Sequence, residues 1–225
     1  MEEGDVVEID YVGRVKESGE LFDTTKRGIA EEENAVNERA KYEPVKVVVG
    51  AEMLVEGLDE ALLDMEVGGG GEVEVPPEKG FGSREGDLIK TFSEKKFKDE
   101  EMNPYPGMRV NLDGKMGRIL SVNSGRVRVD LNHPLAGRTL NYEVEINKKI
   151  EGTEEQVAAV IGYYLGEDPD VEVEGKKATV EVPEKLKDEA LEKFEDIVKE
   201  HLDIEEIDFK KVEEDEPEGK TEESE

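Results

Sequence analysis

One stretch limits the fold more than any other. The run "AEMLVEGLDEALLDM", residues 51–65, sets Met53, Leu54, Leu58, Leu62 and Met65 at helical spacing, an apolar stripe along one face. It stands between the β-branched run "VKVVVG", which ends at Gly50, and the four glycines at 68–71 that open "EVEV". Upstream, residues 5–15 alternate in the manner of a strand, and Gly19 falls in the turn that follows. The segment "GIAEEENAVNERAKYEP" predicts a loop or a short helix. A single apolar stripe among strands must be covered by the sheet those strands form, so the expected class is α+β, an antiparallel sheet wrapped on one helix.

The chain changes character at residue 83. Residues 83–131 carry hairpin signals at Asp113-Gly114 and Ser124-Gly125, flanked by β-branched residues, which predicts a β-rich insert. "TLNYEVEI" then alternates as a further strand. From Glu151 a third unit begins: "TEEQVAAVIGYYLG" predicts a helix with Thr153 as N-cap and Gln156 three residues later. A hairpin is expected around Gly175, followed by an amphipathic helix with Leu186, Ala190, Leu191, Phe194, Ile197, Val198 and Leu202 on one face, and by a last strand in "IEEIDFKKV". The expected division is therefore a first part over 1–82, a second over 83–131, a small α/β domain at 151–212, and an acidic tail at 213–225 without apolar residues, expected to be disordered.

Composition narrows the function. Of 225 residues, 35% are hydrophobic and 5% aromatic, so the apolar supply is modest and divided among small cores. A formal net charge of −30 repels nucleic acid and anionic lipid, so neither is an expected partner. Lys is plentiful beside the Glu surplus, as on a thermophile's mixed-charge surface. Cysteine is absent, which removes disulfides, thiolate nucleophiles and thiolate metal sites together. The acidic start "MEEGDVVEID" lacks the apolar region of a signal peptide, and no apolar run approaches a membrane span, so a soluble cytoplasmic protein is expected.

No catalytic triad, P-loop or dinucleotide fingerprint is present, and the glycines at 68–71 suit a turn. The two histidines, His133 and His201, lack metal-ligand spacing; His201 ends a helix, where a cation suits the dipole. The tail lacks the glycine and spacing of an EF-hand, so no metal and no cofactor is expected. What remains is a set of aromatic and apolar positions, with one carboxylate, Asp23, directly after Phe22 in "GELFDTT".

Those positions carry a resemblance. "VEIDYVGRVKESGELFDTT", "VVVGAEMLVEGLDEALLDMEVGGGGEVEVPPEKGFG" and "NHPLAGRTLNYEVEI" lie in the order found in FKBP-type peptidyl-prolyl isomerases and resemble them, within the SlyD-like group. In minimal members the connection between "GFG" and "TLNYEV" is short; here Phe81 and Tyr142 are 61 positions apart, which is similar to the SlyD-like insert in the flap. The unit after residue 150 looks like the additional domain of longer archaeal relatives.

The resemblance implies an FKBP-like fold, prolyl isomerisation, and substrates that are unfolded or partly folded chains with X-Pro bonds. It puts Tyr11, Phe22 and Asp23 in the prolyl pocket, with Leu54 and Val55 lining it and offering backbone groups, and Leu58 as floor where many members have Trp. Tyr142 takes the place of an aromatic wall, Val45 and Val47 of further wall, and Phe81 a position usually held by Tyr. His133 is expected to be a turn residue rather than a base. Asp23 is expected either to orient Tyr11 or to polarise the rotating amide. In the SlyD-like group the insert binds unfolded chains; Leu88, Ile89, Phe92, Phe97, Met102, Tyr105 and Met108, with Met116, Ile119 and Leu120, would form that surface, Met being suited to adaptable contacts. The alternative is that these residues only pack the insert's own core. A second alternative for the whole chain is a non-catalytic holdase or assembly factor on the same scaffold. The C-terminal unit is open between partner binding, self-association and stabilisation of the isomerase domain.

Overall fold

The computed structural model describes residues 1–112 and 114–212. In chain order the elements are β1 (Val6–Val15), β2 (Leu21–Thr24), α1 (Arg27–Glu32), β3 (Val45–Val48), α2 (Glu56–Leu63), β4 (Gly70–Val75), β5 (Ile89–Ser93), α3 (Glu94–Asp99), β6 (Arg109–Leu112), β7 (Lys115–Asn123), β8 (Arg126–Asp130), β9 (Leu140–Ile150), α4 (Thr153–Leu165), β10 (Val171–Glu174), β11 (Lys177–Pro183), α5 (Asp188–His201) and β12 (Glu206–Val212). The chain divides into two compact units. The first comprises Met1–Arg14, Leu21–Val73 and the described residues from Asn141 onward; the second comprises Val15–Glu20 and Glu74–Leu140. The tail expected over 213–225 lies outside the described residues, as does Asp113 of the first hairpin signal.

In the first unit the strand order is β2-β1-β9-β4, and β3 also pairs with β1. Strands β2 and β3 both run antiparallel to β1, β3 along Val6–Ile9 and β2 along Val12–Arg14, with an irregularity at Gly13/Arg14. The β-branched residues chosen for these strands are the ones buried: Val6, Val7, Ile9, Val48 and Ile146 have no exposed surface. The helix on the apolar stripe is shorter than expected. Gly50 and Glu52 both adopt positive φ, +84° and +53°, which no helix accommodates, so α2 begins only at Glu56 and buries Leu58 and Leu62. Met53 and Leu54 belong to the preceding loop and Met65 to the following one.

The C-terminal residues form a mixed sheet in the order β10-β11-β12. The β10–β11 hairpin turns at Gly175, at φ +65°, and α5 is the crossover that lets β11 and β12 run parallel. Helix α4 packs against α5, β10, β11 and also against β3. Its N-terminus departs from expectation. Gly152 is the N-cap, Thr153 is the first helical residue, and the Gln156 amide donates to the Ile150 carbonyl instead of closing a capping box. Of the face expected on α5, Phe194 and Val198 are buried, whereas Leu186 precedes the helix and Leu202 caps it.

The second unit holds a four-stranded antiparallel sheet, β5-β8-β7-β6. Ser124 and Gly125 join β7 to β8 with φ of +49° and +75°, two successive left-handed residues as a tight hairpin requires. A helix unforeseen in the sequence, α3, is capped by the Ser93 hydroxyl, which accepts from the Lys95 N–H, and carries Phe97 into the core. That core is Phe97, Val110, Leu112, Ile119, Val127 and Val129, with Phe92, Met102, Met108, Val122 and Leu131 packed partly buried against it. Among the described residues no helix is long and apolar enough to cross a membrane.

Candidate prolyl site

Three rings meet in the first unit. Tyr11 on β1, Phe22 on β2 and Tyr142 on β9 come together because those strands are sheet neighbours, although they are far apart in sequence. Tyr142 receives Tyr11 at 5.9 Å and 70°, and Phe22 at 5.5 Å and 90°, both edge-on, the arrangement that ring quadrupoles favour. Gly13 makes this approach feasible. A Cβ there would stand 2.6 Å from Phe22 Cζ and 3.1 Å from Tyr142 Cε1.

Asp23 follows Phe22 and turns its carboxylate to Tyr11, whose hydroxyl donates to Oδ2 at 2.8 Å. The other oxygen accepts the Thr24 N–H at 2.9 Å. Burial, and then the Asp23 carboxylate, hold the Tyr11 phenol far above the usual tyrosine range; Tyr142 is raised by the same two causes. Both phenols are therefore neutral donors at any physiological pH. Beneath them the backbone is tied by hydroxyls. Tyr11 N–H donates to Thr25 Oγ1 at 3.0 Å, and Thr24 Oγ1 donates to the Tyr11 carbonyl at 2.9 Å. Asp10 accepts Thr25 Oγ1 at 2.5 Å and Asn147 Nδ2 at 2.9 Å, which links β1 to β9 behind the rings.

Leu54 and Val55 are half-buried at the entry to α2. Leu58, expected as the floor, is only 1% exposed and offers almost no surface of its own. Val47 is buried in the β1–β3 pairing, and Val45 lines a cleft of about 550 Å³ between β3 and α4. Phe81 belongs to the second unit, where its ring stacks on His133 at 4.3 Å and 11°. His133 Nδ1 accepts the Leu135 N–H at 3.3 Å, the turn role expected of it.

Two contributors escaped the sequence reading. Asp59 is 6% exposed, and its carboxylate accepts Gly50 N–H at 3.0 Å and Glu52 N–H at 3.2 Å, which braces the loop leading into Leu54 and Val55. Its signal was a lone acid on the apolar side of the α2 stripe. Tyr163 on α4 donates to the Met53 carbonyl of the same loop. No local pattern could reveal that, since the contact spans 110 residues.

The residues expected in the insert separate into two groups. Phe97 is fully buried and belongs to the core, so it cannot meet a client in this conformation, and the expectation for it is corrected. Leu88, Ile89, Phe92, Met102 and Met108 are half-buried, whereas Tyr105 and Met116 are each 61% exposed.

Comparison with known proteins accords with this geometry. The family of FKBP-type peptidyl-prolyl cis-trans isomerases matches residues 1–100, and the FKBP26 IF domain matches residues 94–135. The chain is 35% identical over 146 residues to the short-type peptidyl-prolyl cis-trans isomerase of Methanocaldococcus jannaschii, covering 65% of this chain and 92% of that protein. It is 33% identical over 117 residues to the FKBP-type 16 kDa peptidyl-prolyl cis-trans isomerase of Escherichia coli, covering 50% and 78%. It is 31% identical over 121 residues to the FKBP-type peptidyl-prolyl cis-trans isomerase SlyD of Treponema pallidum, covering 52% and 68%. With its α+β architecture and its three-ring cluster, the chain belongs to the FKBP-type peptidyl-prolyl cis-trans isomerase family.

Proposed function

We propose that Tyr11, Phe22 and Tyr142 form the walls of the prolyl site, that Asp23 is its polar group, and that Leu54 and Val55 line it and offer backbone groups to polypeptides containing X-Pro bonds. The observation that supports this most is the edge-on packing of Tyr11 and Phe22 on Tyr142, with the Tyr11 phenol bound to the Asp23 carboxylate. Rotation about an X-Pro bond breaks amide resonance against a barrier of roughly 20 kcal/mol. Uncatalysed, it takes tens to hundreds of seconds. The reaction makes and breaks no covalent bond. A planar amide is more charge-separated than a twisted one, so apolar walls that exclude water favour the twisted state, which is differential transition-state binding. The rings hold the pyrrolidine while the chain on its N-terminal side rotates. Asp23 orients Tyr11; this reading is preferred over direct polarisation of the amide because its Oδ2 is already engaged by the phenol.

Residues 83–131 are proposed as the client-binding part, through Tyr105 and Met116 with the half-buried Met102 and Met108 beside the core. Residues 1–82 with 132–150 would then be the isomerase part. Carrying both functions on one chain raises the effective concentration of client prolines. The test is refolding of a proline-limited protein by the full chain, beside isomerisation of a short peptide. With Tyr105→Ser and Met116→Ser together, peptide isomerisation should persist while acceleration of refolding falls. If the parent chain isomerises neither substrate yet suppresses aggregation, the holdase alternative replaces this reading.

A further inference from the structure

The loop between β3 and α2 is braced from three directions. Asp59 accepts Gly50 and Glu52 N–H, and Val48 N–H donates to Met53 Sδ at 3.3 Å. The third brace comes from beyond the isomerase segments, where the Tyr163 hydroxyl on α4 donates to the Met53 carbonyl at 2.5 Å. In a trans peptide unit the C=O and the following N–H lie in one plane and point in opposite directions. Anchoring the Met53 carbonyl therefore sets the direction of the Leu54 N–H at the start of the lining segment.

Tyr163 itself is 37% exposed, but the helix that carries it is anchored. Helix α4 packs on β3, and its C-terminal turn is tied there by the Lys46–Asp168 ion pair and by Lys41 on the Gly166 carbonyl. Gly162 permits that turn to fold back, since a Cβ there would stand 2.6 Å from Asp168 Oδ1. The Tyr163 ring packs edge-on against Tyr164 at 5.1 Å, and Tyr164 stacks on Phe194 of α5 at 5.5 Å. A continuous aromatic line thus runs from the C-terminal helix pair to the loop beside the proposed site.

We propose that Tyr163 is a positioning residue for the prolyl site, through which the C-terminal unit sets the orientation of the Leu54–Val55 backbone and so the affinity for substrate; this rests on the prolyl-site reading above. Burial, then Tyr164 and Asp23, raise the Tyr163 phenol above its ordinary value, so it stays a neutral donor.

The test is Tyr163→Phe in the full chain, which keeps the ring and removes the donor. Isomerisation of a short X-Pro peptide is followed without coupling protease, with kcat and KM separated, beside thermal unfolding and the Leu54 amide resonance in a ¹⁵N spectrum. Losing one hydrogen bond that acts on binding should raise KM about three- to tenfold with kcat nearly unchanged. The melt should hold and the Leu54 amide should shift. Unchanged KM with an unmoved Leu54 amide overturns the proposal, and so does a parallel fall of kcat and melting temperature, which marks a purely structural contact. Phe22→Ala, measured alongside, separates the two readings. Full activity in Phe22→Ala removes the prolyl site itself, whereas an inactive Phe22→Ala with a neutral Tyr163→Phe removes only the role of Tyr163.

Discussion

Gly13→Ala adds one methyl group at the most crowded point of the ring cluster. Gly13 has no positive φ, so alanine meets no backbone penalty there and loses less conformational freedom on folding, a gain of about 0.4–1 kcal/mol. The new Cβ, however, would lie 2.6 Å from Phe22 Cζ, 3.0 Å from Phe22 Cε2 and 3.1 Å from Tyr142 Cε1. Carbon atoms pack best at about 3.5–4.0 Å, so the Phe22 ring must retreat by roughly 1 Å. Overpacking of this kind costs about 1–3 kcal/mol. The edge-on Phe22–Tyr142 pair, about 0.5–1.5 kcal/mol, is weakened as well. The net expectation is destabilisation by about 1–2 kcal/mol, a fall of about 2–8 °C in Tm for a chain of this size. Five of the six tyrosines lie in the first unit, so near-ultraviolet circular dichroism follows its melting specifically. Peptide isomerisation should drop with the displaced wall, and adding Phe22→Leu should restore the melt while leaving activity low. A Gly13→Ala protein that melts and isomerises like the parent would refute the claim that the three rings are held in contact.

Four further outcomes are expected. Phe22→Ala removes a wall and its ring contacts, about 1–3 kcal/mol of transition-state binding, so kcat/KM on a short X-Pro peptide should fall about tenfold or more. Asp59→Asn leaves only one oxygen for the Gly50 and Glu52 donors; a loss of about 1–3 kcal/mol in denaturant unfolding is expected, with a raised KM. Because Tyr11 and Tyr142 have raised folded values, their contribution is complete below about pH 10, the unfolded tyrosine value, and is lost as pH rises through the folded ones. Tyrosinate absorbance should accordingly show these two titrating only with alkaline unfolding. In the second unit, burial alone would raise the Asp130 carboxyl, but hydrogen bonds from Asn132 and the Arg84 guanidinium outweigh it and hold it low. Its stabilisation is present above about pH 4 and is lost as pH falls through the folded value, so Asp130→Asn should flatten the acid limb of that unit's unfolding.

Much of the fold was legible because the periodicities are local. Alternation located β1, β9 and the C-terminal hairpin, and Ser124-Gly125 marked the β7–β8 turn through residues that tolerate positive φ. Helix α3 was hidden because six residues with one apolar side chain, Phe97, contain no period. The start of α2 was misplaced because its stripe continues into a loop whose positive-φ residues are held by Asp59, a tertiary contact. Tyr11, Phe22, Asp23 and Tyr142, expected together through motif order, do meet. Asp59 and Tyr163 were not, because their roles depend on which carbonyl or N–H a distant segment presents.

The pairing of β1 with β9 has a consequence for how the enzyme itself is made. Tyr142 leaves the ribosome 131 residues after Tyr11, and the whole of the second sheet is synthesised in between. At about 5–20 residues per second, roughly 7–26 s separate the two rings. Until β9 emerges, β1 has only β2 and β3 as partners, and the rings of Tyr11 and Phe22 stand without Tyr142 between them. A catalyst of slow isomerisation is thus completed by one of its own latest and most non-local pairings, the kind that contact order makes slow. The antiparallel sheet of β5 to β8, built from neighbouring hairpins, is free to form first.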